Sequence, residues 1–181
     1  MSDDPVARET GGKPEIPPCP EGPQRLVCCD IVDHGNVVDG FGKTKHKITL
    51  IWQSEHILPN NPEYGEFAGK PFIVQRRFTL SLHERAELRR YLESWRGRKF
   101  TPEELKGFAL GKLIGANAYG QIIQMTKPRG TFAEVIALMP LPAGASKLTV
   151  SPDYVRMKDR KPADAAPGAP ATKIPEDDIP F

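Results

Sequence analysis

Apolar positions along this chain fall into short runs with two different periods. Gln24–Val32 (QRLVCCDIV) is dense in Val, Ile and Cys and predicts a first strand. Thr44–Gln53 (TKHKITLIWQ) alternates, with His46, Ile48, Leu50 and Trp52 on one face and Lys45, Lys47, Thr49 and Ile51 on the other. A third strand is expected over Phe72–Leu80. Two more are expected over Ala116–Met125 and Thr131–Met139, joined by the basic turn Thr126-Lys127-Pro128-Arg129-Gly130. Pro140 and Pro142 stop the last strand. Helical spacing is clearest at Leu88, Leu92 and Trp95, which recur at i, i+4 and i+7. Ser81 with Glu84 reads as that helix's capping box and Gly97 as its end. Thr101-Pro102-Glu103-Glu104 predicts a second, short helix closed by Gly107. Between the strands, Asp33–Lys43 holds Gly35, Gly40 and Gly42 and reads as a mobile hairpin loop; Leu58–Lys70 reads as a long loop.

Strand, strand, strand, helix, strand, strand is the order of an OB-fold. The expected class is mainly β, a five-stranded Greek-key barrel with a helix between strands 3 and 4 plugging its open end. Another α+β sheet would share that order without closing. The flanks differ in kind. Residues 1–22 carry Pro5, Pro14, Pro17, Pro18 and Pro20 and no apolar period; residues 151–181 carry Pro162, Pro167, Pro170 and Pro175 among alanines. The expected organisation is a disordered segment over 1–22, a barrel domain over 23–150, and a disordered, extended tail over 151–181.

Charge adds a direction. The formal net charge is +2, yet residues 24–150 hold 18 basic and 12 acidic side chains while both flanks lean acidic. A basic body suits a polyanion. No stretch approaches the ~20 apolar residues of a membrane helix, and the polar, acidic start does not read as a signal peptide. Cys19, Cys28 and Cys29 form no CxxC pair, which points to a reduced, cytoplasmic setting. His34, His46, His56 and His83 show no ligand spacing with the cysteines, so neither a metal nor another cofactor is expected. Gly40-Phe41-Gly42-Lys43 lacks the spacing of a phosphate-cradling P-loop. No catalytic constellation competes with a binding role, and no enzyme is expected.

The chain closes on Glu176-Asp177-Asp178-Ile179-Pro180-Phe181. A terminal aromatic ring beside its own carboxylate, behind a short acidic run, suits capture by an apolar pocket with a basic rim. Asp177, Asp178, Ile179, Pro180 and Phe181 resemble the acidic tip that ends bacterial single-stranded DNA-binding proteins. That resemblance implies recruitment of replication, recombination and repair enzymes. The body carries a second likeness. Phe78–Glu84 (FTLSLHE), Leu92–Arg98 (LESWRGR) and Leu113–Asn117 (LIGAN) resemble phage-encoded OB-fold single-stranded DNA-binding proteins over roughly residues 24–142. This implies a phage or prophage replication or recombination protein working in the bacterial cytoplasm.

A single strand is held by cations that track its phosphates and by aromatic faces that stack on its bases. In an OB barrel that groove crosses strands 2 and 3. The candidate contacts are Lys43, Lys45 and Lys47 on and before strand 2, Arg76 and Arg77 on strand 3, and Lys127 and Arg129 at the last hairpin. Strict alternation turns either Arg76 or Arg77 inward unless a bulge intervenes. Phe41, Phe72 and Tyr119 are the candidate stacking residues, with Tyr64 and Phe67 in the long loop as further ones. Trp52, Phe78, Trp95 and Phe132 are assigned to the core. Arg85, Arg89, Arg90, Arg96, Arg98 and Lys99 are assigned to the helix's wet face. The expected function is coating of single-stranded DNA with little sequence preference, with partner enzymes recruited by the tip. The alternatives are a strand-annealing or recombination-mediating accessory and a protein-interaction mimic that never touches DNA; homo-oligomerisation stays open.

Overall fold

A computed structural model describes residues 15–160. Five strands, β1 (Gly22–Val38), β2 (Thr44–Ile57), β3 (Pro71–Thr79), β4 (Asn117–Lys127) and β5 (Gly130–Met139), close into a barrel in the order β1-β2-β3-β5-β4. Helix α1 (Glu87–Arg96) and the short α2 (Pro102–Lys106) lie between β3 and β4. The architecture is that of an OB-fold.

Closure depends on β1. Its first residues, Gly22–Val27, pair with β4, and Leu26–Val38 pair with β2. A long strand can serve two neighbours only if it bends. Register shifts between Cys28 and Asp30 and between Asp33 and Gly35 supply that bend. On the far side β3 meets β5 through the parallel bridge Gln75–Glu134. Inside lie Leu26, Cys28, Ile48, Leu50, Trp52, Val74, Phe78, Ile122, Val135 and Leu138. The stripe Leu88, Leu92, Trp95 of α1 packs onto them, and Trp95 meets Trp52 edge-on with centroids 6.0 Å apart. Gly120 faces inward where a Cβ would stand 2.5 Å from Leu26 Cδ1, so any larger residue has to displace the buried Leu26 side chain.

Several elements differ from the sequence reading. The Asp33–Lys43 segment is largely strand: β1 runs to Val38, and the turn is only Asp39–Lys43, where Asp39 Oδ1 accepts from the Phe41 and Lys43 amides. Helix α1 begins at Glu87, not after Ser81. The Ser81 hydroxyl accepts from the His83 amide and His83 Nδ1 accepts from the Arg85 amide. Those i-to-i+2 turns satisfy the backbone outside a helix and delay its start. Gly97 does end it, with φ 68°, and Thr101 with Glu104 forms the expected capping box of α2.

The expected boundaries at 22 and 151 fall inside segments that pack on the barrel. Upstream of β1, Cys19 is buried in the core, and its carbonyl accepts from Gln124 Nε2. Downstream of β5, residues 146–160 form a strap. Arg25 donates to Ser146, Asn117 exchanges two hydrogen bonds with Leu148, and Gln53 Oε1 accepts from the Ser151 amide. The strap's far end converges on Asp30, which is fully buried and accepts from Tyr154 Oη (3.3 Å), Arg156 Nε (3.2 Å) and the Met157 amide (2.7 Å). Val27, Asp30, Ile51 and Gln53 point away from the barrel interior in the β1–β2 register, yet all are buried. Cys29, in the bulge beside them, is buried as well. Burial pushes its thiol up to about 12.

Candidate nucleic-acid interface

The outer face of β1, β2 and β3 divides in two. On β1 and β2 its lower half carries Val27, Ile51 and Gln53 and is covered by the strap, while Ile73 and Gln75 beside them on β3 stay exposed. Its upper half is open and positive. Strand alternation sets Lys45, Lys47 and Thr49 on one side of β2, and pairing sets Thr79 beside Lys47 and Arg77 beside Thr49. Lys47 Nζ donates to Thr79 Oγ1 at 2.8 Å, and His34 Nε2 meets Thr49 Oγ1 at 2.8 Å. Burial, and then the charges of Lys45 and Arg77, hold the Lys47 ammonium below its ordinary value. Burial, and then Arg77, hold the His34 imidazole below its own. Arg77 therefore acts on both Lys47 and His34, and Lys45 on Lys47.

Several cations elsewhere on the barrel are neutralised. Arg25 pairs with Glu55, Arg89 with Glu93, Arg96 and Arg98 with Glu104, and Arg156 with Asp30. Lys47 and Arg77 have no carboxylate within ion-pairing distance among the described residues, while Lys45 meets Asp39 at 3.1 Å. At the tip of the β1–β2 hairpin Phe41 is 79% exposed, next to Gly42 and the exposed Lys43. An aromatic ring held in water at the tip of a hairpin whose strand carries cations supplies both features that stacking and phosphate tracking require.

The sequence-derived residues are thus sorted. Lys43, Lys45, Lys47 and Arg77 come together. Arg76 does not join them. It occupies an inward-phase position of β3, where its guanidinium reaches Glu134 (3.0 Å), Glu87 (2.5 Å) and the Val135 carbonyl, and lies over the Tyr91 ring. Alternation holds through Arg76-Arg77 without a bulge. Phe72 shares the phase of Val74 and Phe78 and is part of the core, so it offers no face to a base. Tyr119 stands on β4 between Arg25 and Met139, on a different wall of the barrel. Lys127 and Arg129 are exposed on the β4–β5 hairpin, separated from β2 by β3 in the barrel order. Phe132, expected in the core, is 37% exposed, because its phase on β5 is opposite to that of Val135. Tyr64 is half-buried against the core. Trp52, Phe78 and Trp95 are core residues as expected.

Two further residues face this side. His34 carries no sequence signal for it, because its position depends on the second bulge of β1. Arg85, expected on the wet face of the helix, lies in the β3–α1 loop because α1 starts late. There it lines an open cleft of about 350 Å³ together with Lys45, Thr79, Ser81, His83 and Glu87. The tip residues Asp177–Phe181 lie outside the described residues. No described helix is long and apolar enough to cross a membrane. Among known proteins, no family model matches the chain and no curated protein matches it.

Proposed function

We propose that this chain binds single-stranded DNA, without catalysis, on the upper outer face of β2 and β3. The observation that carries the reading is the charge there: Lys47 and Arg77, crowded with Lys45 and His34 and lacking carboxylate partners among the described residues, on the hairpin whose tip holds the exposed ring of Phe41. A phosphate placed between them removes mutual repulsion as well as adding attraction. The lower half on β1 and β2, covered by the strap, keeps the contact short. The terminal Asp177–Phe181 gives the second activity, recruitment of replication, recombination or repair enzymes to the strand. Its likeness to the tip of bacterial single-stranded DNA-binding proteins supports that part. The likeness of the body to phage-encoded relatives supports a role in phage or prophage DNA replication or recombination.

Titration of fluorescent oligo-dT with the full-length protein at two salt concentrations tests the reading. Binding should weaken as salt rises, with a slope of about −0.7 per neutralised phosphate. Lys47→Glu with Arg77→Glu should abolish most of it while the thermal transition stays in place. Salt-independent or absent binding overturns the proposal and leaves the protein-interaction mimic.

A further inference from the structure

Resting on that reading, we infer that the strand does not end at Lys45 but continues into the cleft at the start of the β3–α1 loop, which holds one of its internal phosphodiesters. The cleft, about 350 Å³, is continuous with the basic face because Lys45 and Thr79 belong to both. Its far wall brings a second cation, Arg85, and the imidazole of His83, both exposed. His83 Nδ1 is committed as acceptor to the Arg85 amide, which leaves the ring proton on Nε2 as a donor. The acid in the lining, Glu87, is turned to Arg76 at 2.5 Å, a cation it shares with Glu134, so part of its charge still faces the cleft. Thr79 and Ser81 add hydroxyls. Arg85, Lys45 (which an anion would share with Asp39), an imidazole donor and the hydroxyls of Ser81 and Thr79 (the latter already accepting from Lys47) make a site for a tetrahedral anion.

The direction matters. On β2 the strap covers Gln53, while Ile73 and Gln75 beside it on β3 stay exposed and carry no charge, so the cations that continue from Lys47 and Lys45 are those of the cleft. Arg85→Glu in the full-length protein is the test, read by oligo-dT titration over a range of salt. Loss of one phosphate contact should lower the slope of log K against log salt by about 0.7 and weaken binding several-fold at low salt. Lys112→Glu makes the same charge change at an exposed site outside the cleft and should leave the slope as it is. Arg85→Ala repeats the slope loss without adding an acid. An unchanged slope in both Arg85 variants, with the parent protein still binding, overturns the inference and leaves the basic face standing. A parent protein that does not bind overturns the reading beneath it. Oligomers with and without a 5′-phosphate should bind alike; a several-fold preference for the phosphorylated end would assign the cleft to a terminus and overturn the through-path.

Discussion

Asp30 is the residue on which the C-terminal strap depends, and Asp30→Ala measures that dependence. Three of the four hydrogen bonds its carboxylate accepts come from the strap: Tyr154 Oη at 3.3 Å, Arg156 Nε at 3.2 Å and the Met157 amide at 2.7 Å. The fourth comes from the Ile31 amide. A hydrogen bond to a charged group contributes about 1.5–3 kcal/mol, and the two longer ones belong at the low end. Removing the acid also removes the cost of burying it. The Arg156 guanidinium, 30% exposed, regains water when its partner is lost. The net expectation is a loss of about 2–4 kcal/mol, a fall in Tm of about 5–15 °C for a domain of this size. Stability alone does not locate the damage, but the cysteines do. Cys29 lies under the strap and Cys28 in the barrel core, both about 1% exposed or less. In Asp30→Ala a thiol reagent should modify Cys29 well before Cys28 and Cys19, and mass spectrometry of the peptides reads the order. Tyr154→Phe, which removes one long bond, should cost about 1 kcal/mol or less. If Asp30→Ala stays within about 0.5 kcal/mol of the parent and Cys29 remains as protected as Cys28, the strap is not an integral layer of this fold.

Three further outcomes are expected. Phe41→Ala should leave the urea midpoint unchanged, since the ring is 79% exposed, while weakening oligo-dT binding by about 1–3 kcal/mol, the range for one stacked base. Gly120→Ala should destabilise by about 1–3 kcal/mol, because its Cβ meets Leu26 and Leu138 in a filled core; equilibrium unfolding reads it. Glu104, bound first by the Thr101 amide and then by Arg98 and Arg96, has its carboxyl lowered to about 2 from an ordinary 4.5. Because the folded value is the lower one, its contribution is complete above about pH 4.5 and is lost as pH falls toward about 2. The gap in Tm between the parent and Glu104→Gln should therefore narrow over that range.

Local order was legible in the sequence because it is written in nearest-neighbour terms. Alternation in Thr44–Gln53 put Ile48, Leu50 and Trp52 inside, the i, i+4, i+7 stripe put Leu88, Leu92 and Trp95 under a helix, and Thr101 with Glu104 marked a cap. The order of these elements led to a five-stranded barrel, and Lys43, Lys45, Lys47 and Arg77 to its basic face. Alternation carried to the end of β3 would also have removed Arg76 and Phe72 from that face, since both share the inward phase of Val74 and Phe78. Other facts had no local signal. That residues 146–160 cover half of the outer face depends on a buried carboxylate more than 120 residues away, and proline-rich composition reads the same whether or not such a partner exists. Likewise Arg85 faces a cleft and not a helix flank because side-chain turns at Ser81 and His83 compete with helical hydrogen bonds, a balance decided by where Leu88 must meet the barrel. Sequence spacing fixes which residues share a face; only the closed barrel fixes which faces meet, because that depends on contacts between segments far apart in the chain.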